Sequence, residues 1–363
     1  MKILFDYRMQ SWSGIGTYSR ELIKHMNTGP NSITLLTNKN IDFESKVKII
    51  ETDSKIFSIT NQLTVRKHLR KFDIYHCPHF VFPILSRFKN TFVTIHDLIP
   101  LKFPEFFSKS SRFYMSFFLT MLKQDNSKNI ITVSNHTKQD LINDYGLDEN
   151  RISVIPNGVS DFYNTNISED QKIFIRNKYS EGKKYILCVG NVKPHKNIIT
   201  LLKAFRNFKK EYNLIIVGNI YSNREEVFYY IRKNNLEKNI KFTGFISELD
   251  KKLLYVAAHV FVFPSLYEGF GLPALESMAC GTPVIVSKTS SLPEVVGDSG
   301  LYFSPKDVDE LVYRLTELLD DDNLYKQLVG NGLQNVKKFS WEHSAEQTIE
   351  LYKNRIKYED TPN

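Results

Sequence analysis

Two series of short, uninterrupted apolar segments limit this chain more than any other feature. Residues 214–217 (LIIV) and 260–263 (VFVF) carry no polar alternation, so a strand built from them must be buried on both faces. That is the condition of a parallel sheet covered by helices on both sides. In the first half, strand-like runs stand at 2–6, 33–37, 47–50, 74–76, 92–96 and 130–133. Helical patterns, with apolar residues three and four apart, intervene at 15–26, 61–71 and 137–144. The second half restarts the scheme with YILCVG at 185–190, followed by strands at 214–218, 240–244, 260–264 and 282–287 and helices from Asn197, at 225–233 and at 248–257. The alternation predicts βαβ units and an α/β fold of two doubly wound, Rossmann-like domains.

Residues 155–170 (IPNGVSDFYNTNISED) break the apolar pattern with turn formers and polar residues, and a linker is expected there. The domains are therefore placed at 1–168 and 169–340. Three late helical patterns, at 308–319, 324–338 and 341–357, exceed what one sheet needs for cover. The last, within 341–363, is expected to pack back on the first domain. Open α/β sheets bind ligands outside the carboxyl ends of their strands, so two such sheets are expected to face each other across a ligand cleft.

Composition mainly excludes. With 42% hydrophobic and 24% charged residues the chain is globular. No window approaches the roughly 20 apolar residues of a membrane-spanning helix, and MKILFDYRMQ lacks a signal-peptide pattern. Cys77, Cys188 and Cys280 are isolated, which suits a reducing cytoplasm. Of the net charge of +8, residues 1–168 hold 21 Lys and Arg against 15 Asp and Glu, and the remainder 27 against 25. Part of that basic excess lies in 108–124, where Lys109, Arg112 and Lys123 accompany Phe113, Phe117, Phe118, Met121 and Leu122 at helical spacing. This segment reads either as an interfacial helix in peripheral contact with a membrane or as an ordinary helix packing its aromatic stripe on the core. No RNA-binding, zinc-finger or helix-turn-helix signature accompanies the charge, so nucleic acid is not expected as a partner. No HExxH, Cys/His cluster or Asp-rich set points to a protein-bound metal, and the nucleophile-elbow pattern GxSxG is absent.

Several loops carry residues suited to chemistry. In NVKPHKN, His195 and Lys196 stand where a helix begins, and cations there oppose the helix dipole. A bound phosphate would reverse the conflict by taking the free amides, the dipole and Lys196 together; a solvated lysine is the plain alternative. Gly14-Ile15-Gly16 permits close approach of backbone to a ligand, although Ser19 stands where GxGxxG needs its last glycine, and a tight turn explains the pair equally. His96-Asp97 ends a strand, where the histidine would orient a hydroxyl or serve a structural role. Residues 265–287 (SLYEGFGLPALESMACGTPVIVS) place Glu268 and Glu276 eight apart across a Gly-x-Gly turn, with Pro273 in the first turn of a helix. Amides near Phe270, Gly271 and Leu272 would form a second anion-binding helix start. An anionic centre flanked by hydroxyl-accepting carboxylates describes a site for a nucleotide sugar.

The segment EGFGLPALESMACGTPVIVS closely resembles the E-x7-E signature region of retaining GT-B glycosyltransferases, specifically glycosyltransferase family 4. SGIGTYSREL, TIHDLIPLKFPE, ITVSNHTKQDLI, VIPNGV, VGNVKPHKN and SSLPEVVGDSGLYFSP resemble segments of that family in the same order, over nearly the whole chain. The resemblance implies transfer of a sugar from a nucleotide donor to an acceptor hydroxyl with anomeric configuration kept, without metal or cofactor. It gives Lys196 the diphosphate, Glu276 the ribose hydroxyls and Glu268 the donor sugar, with backbone of Phe270, Gly271 and Leu272 on phosphate and sugar. Gly14 and Gly16 would line the cleft, and His96 would lie near the anomeric carbon and acceptor. Many relatives carry an arginine just after the loop glycine or just before the lysine; here Asn191 and His195 stand there and are expected among the donor-binding residues, leaving Lys196, with Lys193 nearby, as the main cation. IHDLIPLKFPE and PHKN look most like mannosyltransferases of bacterial surface polysaccharides, which implies GDP-mannose as donor and a glycan or lipid-linked glycan as acceptor. A GT-B epimerase or phosphorylase, or a non-catalytic member binding nucleotide or membrane, would share the architecture.

Overall fold

The computed structural model describes residues 1–27, 30–38, 43, 47–84, 86, 88–221 and 224–359. They form two compact units, one of Met1–Gly158 joined by the chain from Phe339 onward, the other of Val159–Lys338.

The first unit holds β1 (Lys2–Asp6), β2 (Ser32–Thr37), β3 (Lys48–Glu51), β4 (Ile74–Cys77), β5 (Thr91–Ile95), β6 (Asn129–Thr132) and β7 (Ile152–Val154). They pair in the order β3-β2-β1-β4-β5-β6-β7, every pair parallel. The second unit holds β8 (Lys184–Val189), β9 (Tyr212–Val217), β10 (Ile240–Gly244), β11 (Val260–Phe263), β12 (Val284–Ser287) and β13 (Gly300–Phe303). Their order is β10-β9-β8-β11-β12-β13, again all parallel. Central strands are buried along their length, as the apolar runs of β4, β5 and β11 require, while the edge strand β3 exposes three of its four residues. Helices complete the cover: Leu201, Leu202 and Phe205 of helix Ile198–Phe205, and Leu311, Leu315 and Leu318 of helix Val308–Asp320, join one core with Ile186, Ile216, Val260 and Val262. Each such side chain contributes about 1.5–3 kcal/mol on full burial.

Helix ends follow local chemistry. The Ser134 side chain accepts the amide of Thr137 at the start of helix Asn135–Tyr145, and Gly146, at φ 64°, closes it. The same chemistry relocates the expected linker. Ser168 and Gln171 form a capping box that opens helix Glu169–Ser180. Residues 159–168 are fastened to the second unit, since the Tyr163 hydroxyl donates to Glu248 (2.5 Å) and Lys252 Nζ to Asn164 Oδ1 (2.9 Å). The chain therefore divides after Gly158, ten residues before the expected 168/169 boundary, and after Lys338 in place of 340. Helix Glu169–Ser180 hides from pattern reading because it buries only Ile175 and Ser180 while Ile173 and Phe174 stay exposed.

The last helix, Trp341–Glu359, returns to the first unit; residues 360–363 of the expected 341–363 span lie outside the described residues. Its anchor is Tyr352, fully buried, with its hydroxyl 2.5 Å from His76 Nδ1. His76 Nε2 lies 2.7 Å from Thr94 Oγ1, which meets the Tyr18 hydroxyl at 3.0 Å. Burial pushes the His76 pKa down to about 3, so a neutral imidazole links strand β4 to this helix. The departing and returning chain segments touch within the unit: a Cβ on Gly158 would lie 2.1 Å from the Trp341 amide nitrogen.

Gly158→Ala is accordingly expected to cost about 1–3 kcal/mol by overpacking, lowering the melting temperature. Gly330→Ala, in an exposed helix turn where a Cβ meets nothing within 4 Å, is expected to gain roughly 0.5–1 kcal/mol. Calorimetry of the two variants reads the contrast; equal melting temperatures would contradict the tight crossing.

Candidate active site

In the second unit the strand order reverses between β8 and β11, so the loops leaving their carboxyl ends run to opposite sides and leave a crevice between them. The loop after β8 turns at Gly190 (φ 145°), where an added Cβ would come within 3.6 Å of Lys196 Cε. A single 3₁₀ turn, Pro194–Lys196, then leads to Asn197 in the left-handed region (φ 54°). Asn197 Nδ2 donates to the carbonyls of Pro264 (3.0 Å) and Pro305 (2.5 Å), and the Leu266 amide donates to the His195 carbonyl (2.7 Å). These ties hold the loop after β8 against the loop after β11.

The consequence is an ion pair. Lys196 Nζ lies 2.5 Å from Glu268 Oε1 and 4.8 Å from the Phe263 ring centroid, and the two side chains are 17% and 11% exposed. Glu268 is held from behind: its amide donates to Ser290 Oγ (2.9 Å), while Ser291 Oγ donates to the carbonyls of Glu268 (2.9 Å) and Phe270 (2.8 Å). Gly271, at φ 118° with Leu292 Cδ2 only 2.8 Å from where a Cβ would sit, then admits the chain to helix Leu272–Ala279. In the first turn of that helix the Ala274 amide donates to the Gly271 carbonyl (3.0 Å) and Pro273 has none to give, which leaves the Leu272 amide without a helical partner. Lys196 and Glu268, expected on different parts of a ligand, therefore contact each other.

Glu276 lies elsewhere. It projects from helix Leu272–Ala279 toward helix Glu248–Ala257, accepts from the Tyr255 hydroxyl (2.9 Å) and stands 3.5 Å from Lys251 Nζ. Burial raises its pKa above the usual 4.5, with Lys251 and the Tyr255 hydroxyl opposing the rise. Asn191 and His195, expected among the donor-binding residues, are held within the unit. Asn191 Oδ1 accepts the Asn219 amide (3.0 Å). His195 is 4% exposed, and burial, with Lys196 and Lys193 nearby, pushes its pKa down to about 3.

In the first unit, His96 follows β5 and its Nε2 lies 3.0 Å from the Pro78 carbonyl, so Nε2 carries the proton and Nδ1 keeps its lone pair. The Tyr18 ring meets it edge-on at 4.8 Å, and burial lowers its pKa to about 4. Asp97 accepts the Ile99 amide (3.0 Å). The two loop glycines differ. A Cβ on Gly16 would sit 2.1 Å from the Gln10 carbonyl oxygen, whereas one on Gly14 meets nothing within 4 Å. Gly16 serves the turn, and Gly14 keeps open space.

The sequence reading missed a buried network at the reversal between β1 and β4. Arg8 donates through Nε to Asp6 Oδ1 (2.8 Å) and through NH2 to Oδ2 (2.5 Å), while Tyr75 donates to Oδ2 (2.9 Å) and Arg8 NH1 reaches Asn61 Oδ1 (2.6 Å). Burial works to raise the Asp6 pKa, but Arg8, with His79 and Tyr75, holds it below its usual value. Asp6, Cys77 and His79 each bring a potential metal-ligand atom within 4.8 Å of the others, yet the guanidinium already takes both carboxylate oxygens. The pattern Asp-x-Arg at the end of an apolar run was the available signal.

Two family models match the chain, glycosyl transferases group 1 over residues 169–335 and glycosyltransferase family 4 over residues 12–161. The chain is similar to O-antigen chain mannosyltransferase B of Escherichia coli, 32% identical over 97% of this chain and 100% of that protein. It is also similar to O-antigen chain mannosyltransferase RfbU of Salmonella typhimurium, 32% identical over 71% of this chain and 72% of that one. The crystal structure of Anabaena Alr3699/HepE in complex with UDP-glucose superposes with a TM-score of 0.82, covering 98% of this chain and 100% of that chain at 19% identity. That likeness shows the fold, two parallel-sheet domains of GT-B type.

Because its folded pKa is raised, Glu276 contributes stability that is complete below its unfolded value and is lost as pH rises through the folded value. Glu276→Gln removes that loss. The melting temperature of the variant relative to wild type is therefore expected to be higher at pH 7 than at pH 4, read by calorimetry at both. A constant difference would mean that the buried carboxyl titrates normally.

Proposed function

The chain belongs to glycosyltransferase family 4, and from that premise we propose that this GT-B glycosyltransferase moves mannose from GDP-mannose to a hydroxyl of a glycan or lipid-linked glycan, retaining anomeric configuration and using no metal. The mannose assignment draws on the likeness to O-antigen chain mannosyltransferases. The observation that carries the reading is the Lys196–Glu268 pair at the strand-order reversal of the second sheet, beside the start of helix Leu272–Ala279.

In this reading the donor diphosphate takes Lys196 from Glu268 and collects amides at the helix start, Leu272 among them, with the dipole behind them. Glu268, released, accepts hydroxyls of the sugar. Glu276, held by Tyr255 and Lys251, accepts from the ribose. The bond from the anomeric carbon to the diphosphate oxygen breaks as the acceptor oxygen bonds to the same face, and the acceptor proton passes to the leaving diphosphate. Cation and dipole stabilise the charge that grows on that oxygen. His96, neutral, with Nδ1 open as an acceptor, orients a hydroxyl of sugar or acceptor. Gly14 gives backbone access where a side chain would intrude.

Two variants separate the roles. Lys196→Ala is expected to weaken GDP binding and lower turnover with GDP-mannose by roughly two to three orders of magnitude. Glu268→Ala is expected to bind GDP at least as well as wild type, because a competitor for Lys196 is gone, yet to lose transfer. Thermal shift against GDP, UDP, ADP and dTDP sugars reads donor choice, since a ligand bound only to the native state raises its melting temperature. GDP binding unchanged in Lys196→Ala would sink the assignment, and a response to UDP sugars alone would displace GDP-mannose.

A further inference from the structure

Helix Glu169–Ser180 and the turn that enters β11 border a cavity of about 290 Å³ in the second unit. That is close to the lower limit of small-molecule sites, roughly 300–1,000 Å³. The cavity lies at the amino ends of the strands. His259, which forms part of its wall, immediately precedes β11, and its amide donates to the Tyr185 carbonyl near the start of β8 (3.1 Å). Lys196 and Glu268 follow the carboxyl ends of the same two strands, so the cavity and the crevice occupy opposite edges of one sheet.

The wall offers hydrogen-bond donors and positive charge, and no Asp or Glu lines it. Lys172 and Arg176 stand four residues apart on helix Glu169–Ser180 and both face the cavity, an arrangement of like charges that costs stability on its own. Glu169 offsets Lys172 at 2.5 Å. Arg176 has no ion pair among the described residues; its Nε donates to the Ala257 carbonyl (3.3 Å), and the rest of the guanidinium fork takes no partner there. His259 Nδ1 is buried without a hydrogen bond, and the Tyr325 hydroxyl makes none among the described residues. Buried polar atoms ordinarily pair. Burial, with Arg176 and Lys184 nearby, lowers the His259 pKa to about 4, so the ring is neutral and can donate from Nδ1.

Water would satisfy His259 and Tyr325 but would leave the charge of Arg176 and Lys172 unbalanced, whereas an anion answers both. We propose that this cavity is a second ligand site, which takes the phosphate of a small phosphomonoester on Arg176, Lys172 and His259 Nδ1 while Val256 and Val329 face its carbon body. A guanidinium fork, an ammonium and an imidazole N–H suit the three terminal oxygens of a phosphate better than the two of a carboxylate. The apolar part of the wall gives inorganic phosphate nothing to cover it, and a short carbon chain does cover it.

Histidine-ring NMR of the full chain, titrated at matched ionic strength with glycerol 3-phosphate, inorganic phosphate, glycerate and glycerol, tests this. The His259 signals are identified by their loss in His259→Gln. Glycerol 3-phosphate is expected to move them to saturation, at a lower midpoint than inorganic phosphate or glycerate, and glycerol is expected to leave them in place. Arg176→Gln is expected to raise the midpoint about tenfold or more. Lys172→Gln, on a half-buried helix face where folding is not at risk, is expected to raise it by up to about fivefold. Lys196→Ala is expected to leave the titration unchanged, which separates this site from the crevice. His259 signals that stay in place, or equal midpoints in wild type, Arg176→Gln and Lys172→Gln, overturn the site. Displacement lost in Lys196→Ala overturns it too, by assigning the phosphate to the crevice. Tighter binding of inorganic phosphate or glycerate than of the ester overturns the choice of a phosphomonoester.

Discussion

The meeting of Lys196 and Glu268 in the second unit depends on the point where strand order reverses between β8 and β11. Strands on either side send their connections in opposite directions, so the chain itself does not fill the space between them. Into that space come one cation and one anion, Lys196 and Glu268, each placed by backbone features that tolerate little substitution: Gly190 at φ 145°, Asn197 at φ 54° and Ser290 at φ 50°. Non-glycine residues in the left-handed region cost on the order of 1 kcal/mol or more each, and their concentration around one ion pair is typical of a functional site. A partly shielded ion pair is weak evidence of stability, because removing two charges from water offsets most of their attraction. In the proposed reading its value is positional: it would hold a cation at a helix start until an anion arrives.

Titration reinforces this division of labour. Burial lowers the pKa of His76 and His195 to about 3 and of His79, His96 and His259 to about 4. These imidazoles are neutral at physiological pH, and His76, His79 and His96 act through hydrogen bonds. Charge at the second unit's crevice is left to Lys196 and Glu268, which makes Lys196 difficult to replace, since neither Asn191 nor His195 carries a positive charge.

Much of this was legible in the sequence, for identifiable reasons. The central strands announce themselves because strands buried on both faces need unbroken apolar runs, and the glycine-rich turn with Glu268 and Glu276 carries its own local punctuation. Helix Glu169–Ser180 was not legible, because its polar composition buries too little to show a period, and tertiary ties at Tyr163 and Asn164 moved the domain boundary. Pairwise partners were the least readable. Lys196 and Glu268 are 72 positions apart, Tyr255 and Glu276 21, His76 and Tyr352 276; only the folded order of strands brings them together, and a motif names residues without naming whom they touch. The exposed half of helix Lys109–Gln124 shows the same limit: Phe118 and Leu122 are buried while Phe113 and Phe117 are exposed, and spacing cannot tell an aromatic face turned inward from one turned outward.

The two sheets make the logic of the site comparable with itself. Each has a strand-order reversal, and each places an acid and a base there, yet the pairs are built for opposite ends. Asp6 and Arg8 are 0% and 6% exposed, with the carboxylate engaged on both oxygens by one guanidinium and again by Tyr75, so no competitor can enter without breaking a buried network. Losing either partner would strand an uncompensated buried charge. Lys196 and Glu268 share one short contact, keep measurable exposure, and have a helix start beside them that can accept a negative charge. The first pair makes the loop after β1 rigid, steadying the glycine turn that follows it. In the proposed reading the second exchanges its partner, and an ion pair that opens toward an incoming anion is what a site for a charged leaving group requires.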